Sequence, residues 1–141
     1  ILMMVLISVP IHGICESIDW KQYSDGLRLA EKQNKKVFLH FRTDWCGYCK
    51  QMDRYTFKDN EVVAFLNKHF ISIKVDGDKE KPVTNLYGVR SYPDNRFLNE
   101  KEKEVHRLPG FVDPLMFLFF LEYIQTNSYK TMDPMQYYKS K

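Results

Sequence analysis

Trp45-Cys46-Gly47-Tyr48-Cys49-Lys50 places two thiols three residues apart, directly after the apolar run Val37-Phe38-Leu39-His40-Phe41. A helix starting at Cys46 puts both sulfurs on one face, close enough to bridge. The first sulfur then lies at the helix N-terminus, where unpaired N–H groups and the helix dipole favour an anion. A thiolate is the attacking form in disulfide exchange, so this geometry makes Cys46 the nucleophile and Cys49, one turn deeper, the resolving thiol. The competing reading is an inert disulfide. A zinc site needs two further ligands, and His12, His40, His69 and His106 are not spaced as a pair. Haem attachment would need histidine where Lys50 stands. The expectation is a redox-active dithiol with no metal and no cofactor beyond the cysteine pair itself.

Those thiols need a frame, and the flanking patterns supply one. Trp20, Tyr23, Leu27 and Ala30 recur at helical spacing behind Asp19, which predicts a helix from Trp20 to about Lys32. Lys36 to Phe41 is short, apolar and β-prone, as a buried central strand would be. The dithiol helix then runs to about Arg54, and Asp59-Asn60-Glu61 opens another with Val62, Val63, Phe65 and Leu66 as its stripe. Ile71 to Val75 predicts a second buried strand closed by the turn Asp76-Gly77-Asp78. Pro82 to Tyr87 predicts a short helix stopped by Gly88. Phe97-Leu98 and Val105 to Leu108 flank a charged tip, which predicts an antiparallel hairpin. Asp113-Pro114 caps a last helix reaching about Gln125, and residues 126–141 lack periodicity and read as a loose tail. Early alternation of helix and strand with a late hairpin makes the sheet mixed.

At 141 residues the chain fits one domain whose core needs no disulfide stapling. Its 44% hydrophobic and 15% aromatic content excludes wholesale disorder. A formal charge of +3, scattered along the chain without a basic stripe, argues against nucleic-acid binding. Residues 1–16 contain the run Leu2-Met3-Met4-Val5-Leu6-Ile7, too short to span a membrane. They read as a signal-peptide remnant, with Gly13 and Cys15 as small residues at a cleavage site before Glu16. The alternative is an extra N-terminal strand or an apolar flap. The signal reading places the mature domain in an oxidising compartment, periplasmic or secreted.

This order of elements, with the dithiol motif after the first buried strand, resembles the thioredoxin superfamily over roughly residues 19–125. The motif and Thr56-Phe57-Lys58-Asp59-Asn60-Glu61-Val62 are similar to secreted or periplasmic thioredoxin-like proteins and to the C-terminal domain of the DsbD electron-transfer protein. Gly88-Val89-Arg90-Ser91-Tyr92-Pro93 is a second landmark, and Lys74, by its distance before Pro93, a third. The resemblance implies an α/β thioredoxin fold, a mixed central β-sheet flanked by helices on both faces. Its domain covers residues 17–125, between the segment 1–16 and the tail 126–141. It implies a cis proline at Pro93 that lies against the dithiol and presents the Tyr92 backbone to an extended substrate. Cys46, Cys49 and Pro93 are then catalytic, and Trp45, Gly47, Tyr48 and Tyr92 bind substrate. The implied activity is thiol–disulfide oxidoreduction: reduction of protein disulfides, or electron relay to them. Its implied partners are protein thiol and disulfide substrates and a membrane-bound electron donor, with the chain itself a monomer. Isomerase, oxidase, and non-catalytic binding or chaperone roles are the alternatives.

The chain also departs from that pattern. His40 stands six residues before Cys46, where the family often carries an acid that accepts the buried thiol's proton. A histidine can serve as that base, or it is a packed core residue. Asp94 follows Pro93 where threonine is usual, and Asp94-Asn95-Arg96 replaces an apolar strand opening. A carboxylate beside the dithiol would disfavour a thiolate and oppose oxidising behaviour. Leu115 to Leu121 is more apolar than one helix face requires, so the tail or the N-terminal segment covers it, or it meets a partner.

Overall fold

Side chains alternate strictly along strand β2 (Lys36–Arg42): Val37, Leu39 and Phe41 face one way, Phe38 and His40 the other, and all five are buried. Burial on both faces requires a central strand with helices above and below. The computed structural model describes residues 16–141. The signal-peptide reading and Cys15 lie outside the described residues.

β2 is the middle strand of a five-stranded sheet. Strand β3 (Phe70–Asp76) runs parallel on one side of it, and the short β1 (Trp20–Lys21) adds parallel to β3. On the other side β4 (Asp94–Leu98) pairs antiparallel with β2, and β5 (Glu104–Pro109) completes the hairpin. One face packs Val37, Leu39, Phe41, Ile73 and Leu98 against helix α1 (Tyr23–Gln33), with Val83 of α4 (Lys81–Leu86) beside them. The other packs Phe38 and Phe97 under α2 (Gly47–Arg54), α3 (Asn60–His69) and α5 (Pro114–Gln125), through Met52, Leu66, Phe117, Leu121 and Ile124. Each such fully buried side chain contributes about 1.5–3 kcal/mol, so β2 is held from both sides. This is the mixed sheet with helices on both faces that the sequence predicts.

Two expectations change. Trp20 does not begin the first helix: Trp20 and Lys21 pair with Ser72 and Ile73 as an edge strand, and α1 starts at Tyr23 with Gln22 as N-cap. Helical spacing from Trp20 was coincidental, because strand pairing and the aromatic stack on Phe38 and Phe57 fix that residue instead. Nor are residues 126–141 structureless. They form a 3-10 turn (Ser128–Lys130) and a helix α6 (Pro134–Lys139), opened by a capping box between Asp133 and Gln136. Tyr137 of α6 packs on Phe119 and Tyr123, covering part of the surplus apolar surface of α5. Leu115 and Met116 stay exposed.

Candidate functional site

α2 begins where β2 has just ended, so the sheet aims the helix N-terminus. Cys46 is the N-cap residue: its backbone is extended and its Sγ accepts the Cys49 N–H at 3.1 Å. The sulfur therefore occupies the place of a capping oxygen, in the positive field of the helix end. Cys46 and Cys49 are disulfide-bonded with Cα atoms 5.2 Å apart. Cys46 keeps 5% of its surface and Cys49 none, so an attacking or attacked group reaches the pair at Cys46. A Cβ at Gly47 would meet open space, and Tyr48 is exposed beside it.

Trp45 is 69% exposed, yet it is fixed. Its Nε1–H donates to Asp78 Oδ2 at 2.9 Å, and its ring meets Tyr92 edge-on at 6.0 Å. Gly77 leaves the space that the Tyr92 ring fills, since a Cβ there would collide with the phenol. Asp76 Oδ1 in turn accepts the Asp78 and Lys79 N–H groups, which sets the turn. The Tyr92–Pro93 peptide is cis, and the Pro93 carbonyl accepts the Gly110 N–H at 2.8 Å. Asp78 was not singled out from the sequence; the only signal was the Asp-Gly-Asp turn itself.

Beneath the helix lies a small polar layer. His40 is completely buried, with Phe57 edge-on to its ring at 4.7 Å. Its Nδ1 is 2.8 Å from Asn95 Oδ1, and its Nε2 has no hydrogen-bond partner. Burial pushes the imidazole down to about 3; the Asn95 bond resists, and the Lys74 and Arg42 charges add to the fall. It is neutral at physiological pH. Lys74 lies opposite His40 in the β2–β3 register, 4.6 Å over the Trp20 ring and 4.0 Å from Asp53. Burial lowers its ammonium, with Asp53 opposing. In the sequence Asn95 stands out only as part of Asp94-Asn95-Arg96, the segment that replaces an apolar strand opening.

Asp94 does not act on the dithiol as a free carboxylate. Its side chain is fully buried and accepts two hydrogen bonds from Arg96 and two from Arg107, all 2.9–3.0 Å. Burial pushes the carboxyl up, but these guanidiniums outweigh it and hold it below the ordinary value. Two cations thus compensate the charge that was expected to disfavour a thiolate. Asp44 likewise pairs with Arg42 at 2.8 Å rather than facing the sulfurs alone. Among the described residues no three His, Cys, Asp or Glu side chains gather as metal ligands, and no helix is long and apolar enough to cross a membrane.

The family model for thioredoxin-like domains matches residues 23–125. DsbD from Photorhabdus laumondii is 28% identical over 117 residues, covering 77% of this chain and 20% of that protein. The chain spans less than two thirds of the length of the first curated relatives it matches. A thioredoxin from Thermus thermophilus superposes with a TM-score of 0.71 at 29% identity, covering 77% of this chain and 87% of that one. The reduced DsbD C-terminal domain from Neisseria meningitidis gives 0.57 at 26%, over 73% and 96% of the two chains. The chain belongs to the thioredoxin-like domain family of the thioredoxin superfamily.

Proposed function

We propose that the protein is a thiol–disulfide oxidoreductase that reduces protein disulfides, or relays electrons to them, through Cys46 and Cys49. The observation that carries this reading is a sulfur serving as helix N-cap at the one open edge of an otherwise buried pair. In the reduced protein the Cys46 thiolate attacks a substrate sulfur, forming a mixed disulfide and releasing the first substrate thiol. Cys49 then gives up its proton and attacks Cys46 Sγ, so the second substrate thiol leaves and the internal disulfide closes. Two electrons pass to the substrate, and no further cofactor enters. The Cys49 proton leaves through water; His40, whose imidazole is pushed down to about 3, is neutral there and too weak a base to hold it. Trp45, Gly47 and Tyr48 form the lip against which substrate rests, and Pro93 presents the Tyr92 backbone for main-chain hydrogen bonds to an extended segment. The working place is an oxidising compartment, periplasmic or secreted, where a membrane-bound donor regenerates the dithiol.

The test is insulin reduction by the wild type and by Cys46→Ser. The wild type accelerates precipitation of the insulin chains and the variant does not; equal rates would leave only a binding role for the fold. Titration against glutathione then sets direction. A potential near about −270 mV supports a reductase or relay, and one near about −120 mV makes the protein an oxidant.

A further inference from the structure

Helix α6 lies outside residues 23–125, the span matched by the family model, and it reshapes the surface beside α5. Tyr137 packs on Phe119 and Tyr123, and the Asp133–Gln136 capping box fixes where α6 begins. Between the two helices this leaves a groove of about 620 Å³, within the size range of ligand clefts. Leu115, Met116, Phe119, Phe120, Met135 and Tyr138 line it. Leu115, Met135 and Tyr138 keep more than half of their surface in water, and Met116 about half. Packing of α6 thus shapes an apolar concavity without closing it. Contiguous exposed apolar surface marks a protein-binding site, and methionine and aromatic residues are enriched in such sites.

Position and charge together identify what enters the groove. Asp113 stands at its rim, three residues after Gly110, whose N–H donates to the Pro93 carbonyl. Val112 in the same loop accepts the Thr56 hydroxyl, which ties the loop to the turn that follows the dithiol helix. The groove therefore continues the loop that supports Pro93, and a partner seated against Pro93 can extend into it. Asp113 is also the charged member of the lining, and exposed Asp133 stands at the start of α6 beside Pro134 and Met135. A second copy docked through a two-fold contact would set this acidic rim against itself. An amphipathic helix flanked by lysine or arginine meets no such opposition, and a trough between two helices suits anchors at i, i+3 and i+7. We infer that the α5–α6 groove docks an apolar, basic-flanked helix of the protein whose disulfide is exchanged at Cys46. Docking holds that disulfide at a raised local concentration beside the sulfur. Met116 and Met135 are adaptable side chains, so the trough accepts more than one anchor sequence.

This role rests on Cys46 as the point of exchange, so binding is read first without turnover. The probe is a synthetic peptide of about 20 residues, long enough to hold a helix. It joins a Cys-Gly-Ser-Cys disulfide loop to an amphipathic helix with leucines at i, i+3 and i+7 and lysines at both ends. Its redox-inert form carries serine for both cysteines. Titrating that form into ¹⁵N-labelled protein should shift the amides of residues 113–120 and 134–138, and the double variant Met116→Lys/Met135→Lys should bind about tenfold more weakly. With the disulfide form, the same variant should raise KM about tenfold at unchanged kcat, while KM for the loop without the helix stays as in the wild type. Groove amides that do not move, equal binding by the variant, or an equal rise in KM for the loop alone overturns the docking site. A wild-type dimer in sedimentation that Met135→Lys dissociates gives the groove to a second copy and overturns it as well. Should the variant fail to fold, the wild-type titration decides alone. A protein that binds the inert peptide in the groove yet reduces no disulfide loses the proposed function and keeps the docking site; turnover without groove shifts does the reverse.

Discussion

Asp94 and Asn95 are consecutive on β4 and equally inaccessible to water, yet their side chains go to opposite faces of the sheet. Asp94 meets Arg96 and Arg107, which stand opposite each other in the β4–β5 register, and Arg96 reaches on to Glu104 at 2.7 Å. Every lone-pair direction there has a donor. Asn95 instead satisfies its own three bonds and leaves its neighbour His40 half-satisfied. The first arrangement is a closed charge cluster that ties the hairpin behind Pro93 together. The second leaves one buried nitrogen of His40 without a partner. Buried polarity that is complete behaves as scaffold; buried polarity that is incomplete carries a desolvation cost that the packing around it must offset.

Removing the carboxylate should produce the largest effect on stability. Asp94→Asn removes the carboxylate that Arg96 and Arg107 share and should cost about 3 kcal/mol, read as a lower urea midpoint at unchanged slope. The same variant should leave the reduction potential where it was; a large shift would mean the two faces are not independent. A second test uses acid. His40 titrates at about 3 in the folded protein against 6.5 in the unfolded chain, so the unfolded state binds the extra proton. That contribution to stability is full above pH 6.5 and is lost as pH falls towards about 3, with a slope of up to about 1.4 kcal/mol per pH unit from this group. His40→Phe should flatten the stability profile across that window, and an unchanged profile would show that the ring is not held neutral. Asp94, whose folded value is also depressed, loses its contribution only at lower pH, as the carboxyl protonates. The smallest change belongs to the edge of the charged cluster. Glu104 is 40% exposed, so Glu104→Gln should cost under about 1 kcal/mol by urea unfolding. A loss as large as that of Asp94→Asn would mean that solvent does not screen this arm.

Much of the frame was legible because local signals and burial agreed. The apolar run before the motif, the Asp59 and Asp113 caps, and the hairpin around its charged tip each gave an element within one to three residues of its observed bounds. Trp20 misled because an aromatic at helical spacing is indistinguishable from an edge-strand aromatic until its pairing partner, Ser72, is known. The tail misled because a six-residue helix has too little length for periodicity, and its capping box went unnoticed. At the site, Cys46, Cys49, Trp45 and Tyr92 were visible as residue types, whereas Asp78 and Asn95 were not. Each of the latter acts on a residue 33 or 55 positions away.

The amino-acid order alone determined that two sulfurs share one helix end and that this helix follows a strand buried on both faces. Those facts depend on spacing, and spacing is local. Only the folded chain decided that the Asp94 charge is compensated, that Trp45 is clamped, and that His40 is neutral with one nitrogen bare. Charge and protonation depend on which groups meet across the sheet and on how much water is excluded there, and no local pattern records either.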